Sequence, residues 1–182
     1  MTKLAWPAAL ALGFTLGSVA THQSAPTTPD NAELAEMYRI DQADRAGDLS
    51  KLDWKAIAEH DDAHQKRVAE MLGQDLVKTP RDYYHAAMVF QHASTPQGYK
   101  MAHELAMISA AKGEPDAKWL CAASWDRLLR SLKQNQRFAT QYSSKDMKSF
   151  ELDPVDPEPT DSMRKALDCP TLQEAKRRAK DF

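Results

Sequence analysis

The chain has 182 residues, 24 of them lysine or arginine and 26 aspartate or glutamate, for a formal net charge of −2. So balanced a charge offers no global attraction to nucleic acid or to an anionic bilayer, and no nucleic-acid partner is expected. With 6 glycines the glycine-rich phosphate loops of the common nucleotide folds are absent, and no cofactor is expected.

Residues 1–20, MTKLAWPAALALGFTLGSVA, set one lysine before an apolar run and end in Ser18-Val19-Ala20, a small-x-small pattern that a signal peptidase accepts. The run holds about 16 apolar residues interrupted by Pro7, short of the ~20 needed to span a bilayer. A cleaved secretory signal is the reading, with the mature protein periplasmic or extracellular and not stably inserted in a membrane. Residues 21–30, THQSAPTTPD, have nothing to bury and read as a flexible tether, leaving 31–182 as one domain.

The domain opens with Asp30 or Asn31 as the cap of a helix running to about Ala46, stopped by Gly47. A second helix begins after Asp53, with Trp54, Ile57, Val68 and Met71 at helical spacing and Gly73 just past its end. Thr79-Pro80-Arg81-Asp82 opens a third: a capping hydroxyl, a first-turn proline, and an acid where the helix dipole favours one. Thr95-Pro96 repeats the device for a fourth, whose Ala102, Ala106 and Ala110 permit close approach of a neighbour before Gly113 ends it. Glu114-Pro115-Asp116 launches a fifth through Trp119, Leu120, Trp125, Leu128 and Leu132. Short turns between these helices predict antiparallel hairpins, loosely tetratricopeptide-like, without a clean repeat period.

Weak alternation over 137–142 and 147–152 then predicts a small β-hairpin. The proline-rich DPVDPEPTD (153–161) predicts an extended, exposed loop, and short helices over 161–168 and 171–180 close the chain. The fold class expected is therefore mainly α with a small C-terminal β-hairpin. Cys121 and Cys169 are the only cysteines. Export permits a disulfide between them, and a buried inert thiol accounts for Cys121 equally well.

Polar residues inside apolar helices carry the functional question. On the third helix His85 and His92, seven apart, point within about 20° of each other, while Gln91 falls in the apolar arc, where an unpartnered amide costs on the order of 1–3 kcal/mol. His103 lines up with Tyr99, Ala106 and Ala110; Asp126 stacks with Trp119, Ala122 and Ala123; Arg127 neighbours Leu120; and Asp41 and Arg45 form an i,i+4 pair on the first helix. Three explanations compete: core-edge hydrogen bonds that fix register, a concave site for a ligand or substrate, and a metal site. A metal would need His92 or His85 with His103 and Asp126, because His85 and His92 are roughly 10 Å apart along the axis. No HExxH or CxxC is present, and Asp61, Asp62 and His64 read as a solvated face. Ser124 has no histidine at helical spacing and no G-x-S-x-G elbow.

Gln91-His92, then Asp126-Arg127, then Gln136-x-Phe138-x-Thr140-Gln141 resemble a bacterial family catalogued only as domain of unknown function 6624, whose members show Q-H, D-R and Q-x-F/Y-G-T-Q in that order. The resemblance spans residues 34–175, with Asp41-Gln42-x-Asp44-Arg45 as its opening element, and implies a mostly helical domain with no established activity. Ala139 stands where the pattern has glycine; a positive φ there would strain alanine by roughly 1 kcal/mol or more. The resemblance suggests that Gln91, His92, Asp126, Arg127, Gln136, Thr140 and Gln141 form one network. In it a histidine beside an aspartate would act as base and Arg127 would hold an anionic group; the same bonds would equally pin the hairpin to the helices. The functional expectation is an exported binding or interaction module for an unknown small molecule or protein. The alternative is a hydrolase-like enzyme using His92 or His85 with Asp126 and Arg127.

Overall fold

The computed structural model describes residues 28–146 and 149–180. The expected signal segment and residues 21–27 of the tether lie outside them. Five helices form the body: α1 (Ala32–Asp44), α2 (Trp54–Gly73), α3 (Pro80–Gln91), α4 (Pro96–Ala111) and α5 (Ala117–Ser131). After them come a two-stranded antiparallel sheet, β1 (Tyr142–Ser144) and β2 (Phe150–Leu152), and two short helices, α6 (Asp161–Ala166) and α7 (Leu172–Arg178). No helix among the described residues is long and apolar enough to cross a membrane.

Local chemistry sets the helix starts. Asn31, Asp53, Thr79 and Thr95 each accept a backbone N–H of the first turn. Thr79 and Asp82 complete a reciprocal capping box. Asp82 does more than complement a helix dipole: 1 % exposed, it also accepts the N–H of Asn31 (2.7 Å) and of Lys78 (3.0 Å), tying the start of α1 to the start of α3. Asp116 caps nothing with its side chain.

α4 packs most extensively, against α3 on one side and α5 on the other, as the hairpin reading requires. Ala102 and Ala106 are wholly buried, so the backbones approach closely. Leu34, Val68, Met71, Ala86, Ala87, Val89, Leu105 and Leu120 form the common core. Each large aliphatic side chain removed from water contributes ~1.5–3 kcal/mol. Gly98 fixes the α3–α4 turn, because a Cβ at that position would lie 2.2 Å from the Cβ of Ala93. That contact holds the end of α3, with Gln91 and His92, hard against the start of α4.

Three expectations are corrected. Gly73 belongs to α2, and the left-handed residue after it is Asp75, with φ 56°. The strands are shorter than the alternation predicted: Tyr142 pairs with Leu152 and Ser144 with Phe150, whereas residues 137–140 leave the ladder and turn about a buried carboxylate. In the proline-rich loop Pro159 is buried, and Val155 bridges in parallel to Gln136.

Candidate functional site

Two polar centres meet where the C-terminal ends of α1 and α3 face α2 and α5. The first is built on Asp41, which is 1 % exposed. Its Oδ1 lies 2.7 Å from His92 Nδ1 and accepts from Arg45 Nη1 at 3.0 Å, while Oδ2 accepts from Gln42 Nε2 at 2.7 Å. Arg45 turns its other amino group to Asp61 Oδ2 at 2.5 Å, and the Asp61 side chain is only 12 % exposed. The expected Asp41–Arg45 pair thus holds a histidine and a second acid as well.

His92 caps the C-terminus of α3 rather than continuing it. With Nδ1 donating to the Asp41 carboxylate, a ring carrying that single proton offers Nε2 as an acceptor. The ring is partly exposed (16 %) and Nε2 has no partner among the described residues.

The second centre is the Asp126–Gln141 loop. Asp126 is wholly buried and accepts the N–H groups of Arg137 (2.7 Å), Phe138 (3.0 Å) and Thr140 (3.2 Å), and the Thr140 hydroxyl (2.8 Å). Burial pushes its carboxyl above the ordinary value, and those donors pull the other way. Ala139 sits inside this turn with φ 60°, the left-handed backbone that glycine adopts without strain.

Gln136 is satisfied on both sides: Nε2 donates to the Gln141 and Asp153 carbonyls, and Oε1 accepts the Gln141 N–H. Gln141 Nε2 donates to Ala123 O and to Thr140 Oγ1. Every donor turned toward Asp126 comes from residues 137–140. Asp126, Gln136, Thr140 and Gln141 therefore fold the loop onto α5, and Asp126 is not free to serve as a base.

Arg127 joins the centres. Its Nε donates to Gln141 Oε1 at 3.1 Å and its Nη1 to the backbone carbonyl of Gln91, the residue before His92. Both acceptors are neutral, and Arg127 makes no ion pair among the described residues. Burial lowers its guanidinium below the ordinary value; Arg130 and Arg45 act in the same sense, Tyr99 and Asp41 in the opposite one. Its outer edge, with Tyr99, Arg130 and Ser131, lines an open cleft of about 430 Å³.

Gln91 was expected to find a partner for its buried amide. The side chain is 3 % exposed, yet Oε1 has no hydrogen bond; the backbone carbonyl receives Arg127 instead.

His85 and His103 stand apart from these centres. His85 does not share an environment with His92: its ring stacks on Tyr38 with centroids 4.5 Å apart and its buried Nδ1 is unpaired. Burial lowers its pKa. His103 donates from Nδ1 to Cys121 O at 2.9 Å and opens on an apolar groove of about 620 Å³ lined by Met107, Trp125, Phe138 and Leu167. Burial lowers its pKa too. Ser124 Oγ lies 3.4 Å from His103 Nδ1 but donates to Leu120 O at 2.7 Å and is wholly buried, so the contact is not a nucleophile–base pair. Cys121 and Cys169 are free buried thiols, which burial pushes up to about 11 and about 12.

The metal constellation weighed from sequence, His92 or His85 with His103 and Asp126, is not assembled. The one group of potential ligands found together among the described residues is Asp41, Asp61 and His92, with ligand atoms within 4.8 Å of one another. Arg45 already pairs with both carboxylates, so the trio as it stands is part of an ion-pair network.

The sequence predicts a solvated Asp61, whereas its side chain is 12 % exposed and paired with Arg45. Its place was nonetheless visible, since Ile57, Asp61 and Val68 fall on one helical stripe and the other two are core residues. Tyr99 carried no such signal. No family model, curated protein or solved structure matches the chain.

Proposed function

We propose that this chain is an exported helical module that binds a small molecule at the junction of α1, α3 and α5, beside His92. The observation that carries the reading is the Asp41–His92 pair. A 2.7 Å bond to a buried carboxylate makes Nδ1 the donor and leaves Nε2 without a partner among the described residues, one residue from a carbonyl that holds Arg127. The resemblance to the uncharacterised bacterial family belongs to this proposal: of the positions that carry it, Asp41, Arg45, His92 and Arg127 lie at this junction, while Asp126, Gln136, Phe138, Thr140 and Gln141 build the adjoining loop.

A hydrolase-like reading is favoured by the same pair, since a carboxylate-oriented imidazole is the arrangement of a general base. Asp41, rather than Asp126, would be its orienting acid. No hydroxyl or thiol bonds His92 among the described residues, so the attacking group would be water.

Ligand-observed NMR with a library of polar metabolites, run on the wild type and on His92→Ala, tests the proposal. The expected result is binders that the variant loses while the melting curve shows it still folded. Binders that persist in the variant, or none in the wild type, would remove the reading. Turnover of a bound ester or amide that His92→Ala abolishes would favour the enzyme.

A further inference from the structure

Resting on that reading of a ligand site beside His92, we propose that the cleft of Tyr99, Arg127, Arg130 and Ser131 is an oxyanion subsite that takes the phosphate of a small phosphorylated molecule. The four residues that line it include no carboxylate. Arg127 enters the cleft with a charge that no acid balances, and its two bonds to neutral oxygens leave the rest of its five donors unclaimed. Arg130, one turn further along α5, is ion-paired with Asp153, its Nε 2.8 Å from Oδ2, and its two Nη groups make no hydrogen bond among the described residues. Tyr99, across the cleft on α4, has no hydrogen bond for its hydroxyl among the described residues. Ser131 adds no donor, because its hydroxyl is spent on Leu128 O at 2.6 Å.

Two guanidinium groups and a phenol converging on an open space suit the many acceptor lone pairs of a phosphate better than the two oxygens of a carboxylate. The partial enclosure of Arg127 weakens competition from water and salt there. Because the Gln91 carbonyl fixes Arg127 next to His92, the phosphate would occupy one end of a ligand whose other end reaches the imidazole.

The test is a titration of the full chain with inorganic phosphate, followed by the arginine Nε–Hε resonances at pH 7.5 and low ionic strength. The expected result is a saturable shift at Arg127, weakened about fivefold or more by Arg130→Gln, which removes one guanidinium from the cleft. Arg127→Gln should abolish the accompanying saturable shift at Arg130. If that variant fails to fold, having lost its bonds to Gln91 and Gln141, the exposed Arg130→Gln decides alone. A shift that never saturates and is the same in Arg130→Gln means an adventitious ion only and overturns the inference. Acetate binding as tightly as phosphate overturns the phosphate assignment. His92→Ala should leave the phosphate shift in place, so this inference fails on the titration and the ligand-site reading on the metabolite screen, each independently.

Discussion

Replacing Asp126 by alanine is the sharpest perturbation this architecture offers. The wild-type carboxylate is wholly buried and receives the amides of Arg137, Phe138 and Thr140 together with the Thr140 hydroxyl. Alanine leaves four donors without acceptors, and each buried unpaired group costs about 1–3 kcal/mol. Two effects reduce the sum. The mutant no longer confines a desolvated charge, and the loop can open so that water reaches its amides. The second route limits the penalty to the packing that anchors the loop on α5, for a net loss of about 3–5 kcal/mol, the range for removing one side of a buried charged network.

Asp126→Asn keeps one oxygen but turns an amino group toward amides that need an acceptor, so it should lose about 2–3 kcal/mol. Urea unfolding followed by tryptophan fluorescence measures both, with a change in slope reporting whether the loop has opened in the native state. A loss below about 1 kcal/mol for the alanine variant would refute the claim that this carboxylate holds the loop in place.

Other outcomes follow from particular contacts. His85 and His103 have folded pKa values below the ordinary 6.5, so the unfolded chain takes up more protons than the native one below that pH. Their contribution is full above pH 6.5 and is lost as the pH falls through it, by up to about 1.4 kcal/mol per pH unit for each group. Denaturation curves of His103→Gln from pH 7.5 to 5.5 should show a shallower decline than wild type; an identical decline would exclude that histidine. At Ala139, glycine relieves left-handed strain of ~1–2 kcal/mol but forfeits a buried methyl and chain stiffness of similar total size, so Ala139→Gly should be close to neutral in Tm. Ala139→Val adds a β-branch at φ 60° and should cost about 2 kcal/mol or more. Arg45→Ala leaves Asp41 and Asp61 facing each other without their shared cation. Zinc should then raise the Tm of that variant while chelator leaves the wild-type curve unmoved; a chelator-sensitive wild type would show that the trio already holds metal.

Chain-local chemistry made much of the fold legible. The Thr-Pro starts of α3 and α4 and the asparagine and aspartate caps of α1 and α2 act within one helical turn, so neighbouring residues suffice to read them. The Asp41–Arg45 pair belongs to the same class. Residues 137–140 show the limit of such reading: an alternating pattern that suits a strand was claimed by Asp126, whose demand for donors outweighed the ladder.

What the sequence by itself determined is where helices begin, which faces carry core residues, and that polar groups would be caught inside apolar stripes. Which of those groups touch was decided only by tertiary packing. His85 and His92 project almost alike from one helix, yet the first stacks on Tyr38 while the second, just past the helix end, meets Asp41. Partners fifty residues apart are chosen by how α1 and α5 lie against α3, a matter of shape and close approach at positions such as Gly98 and Ala106 that no local pattern encodes.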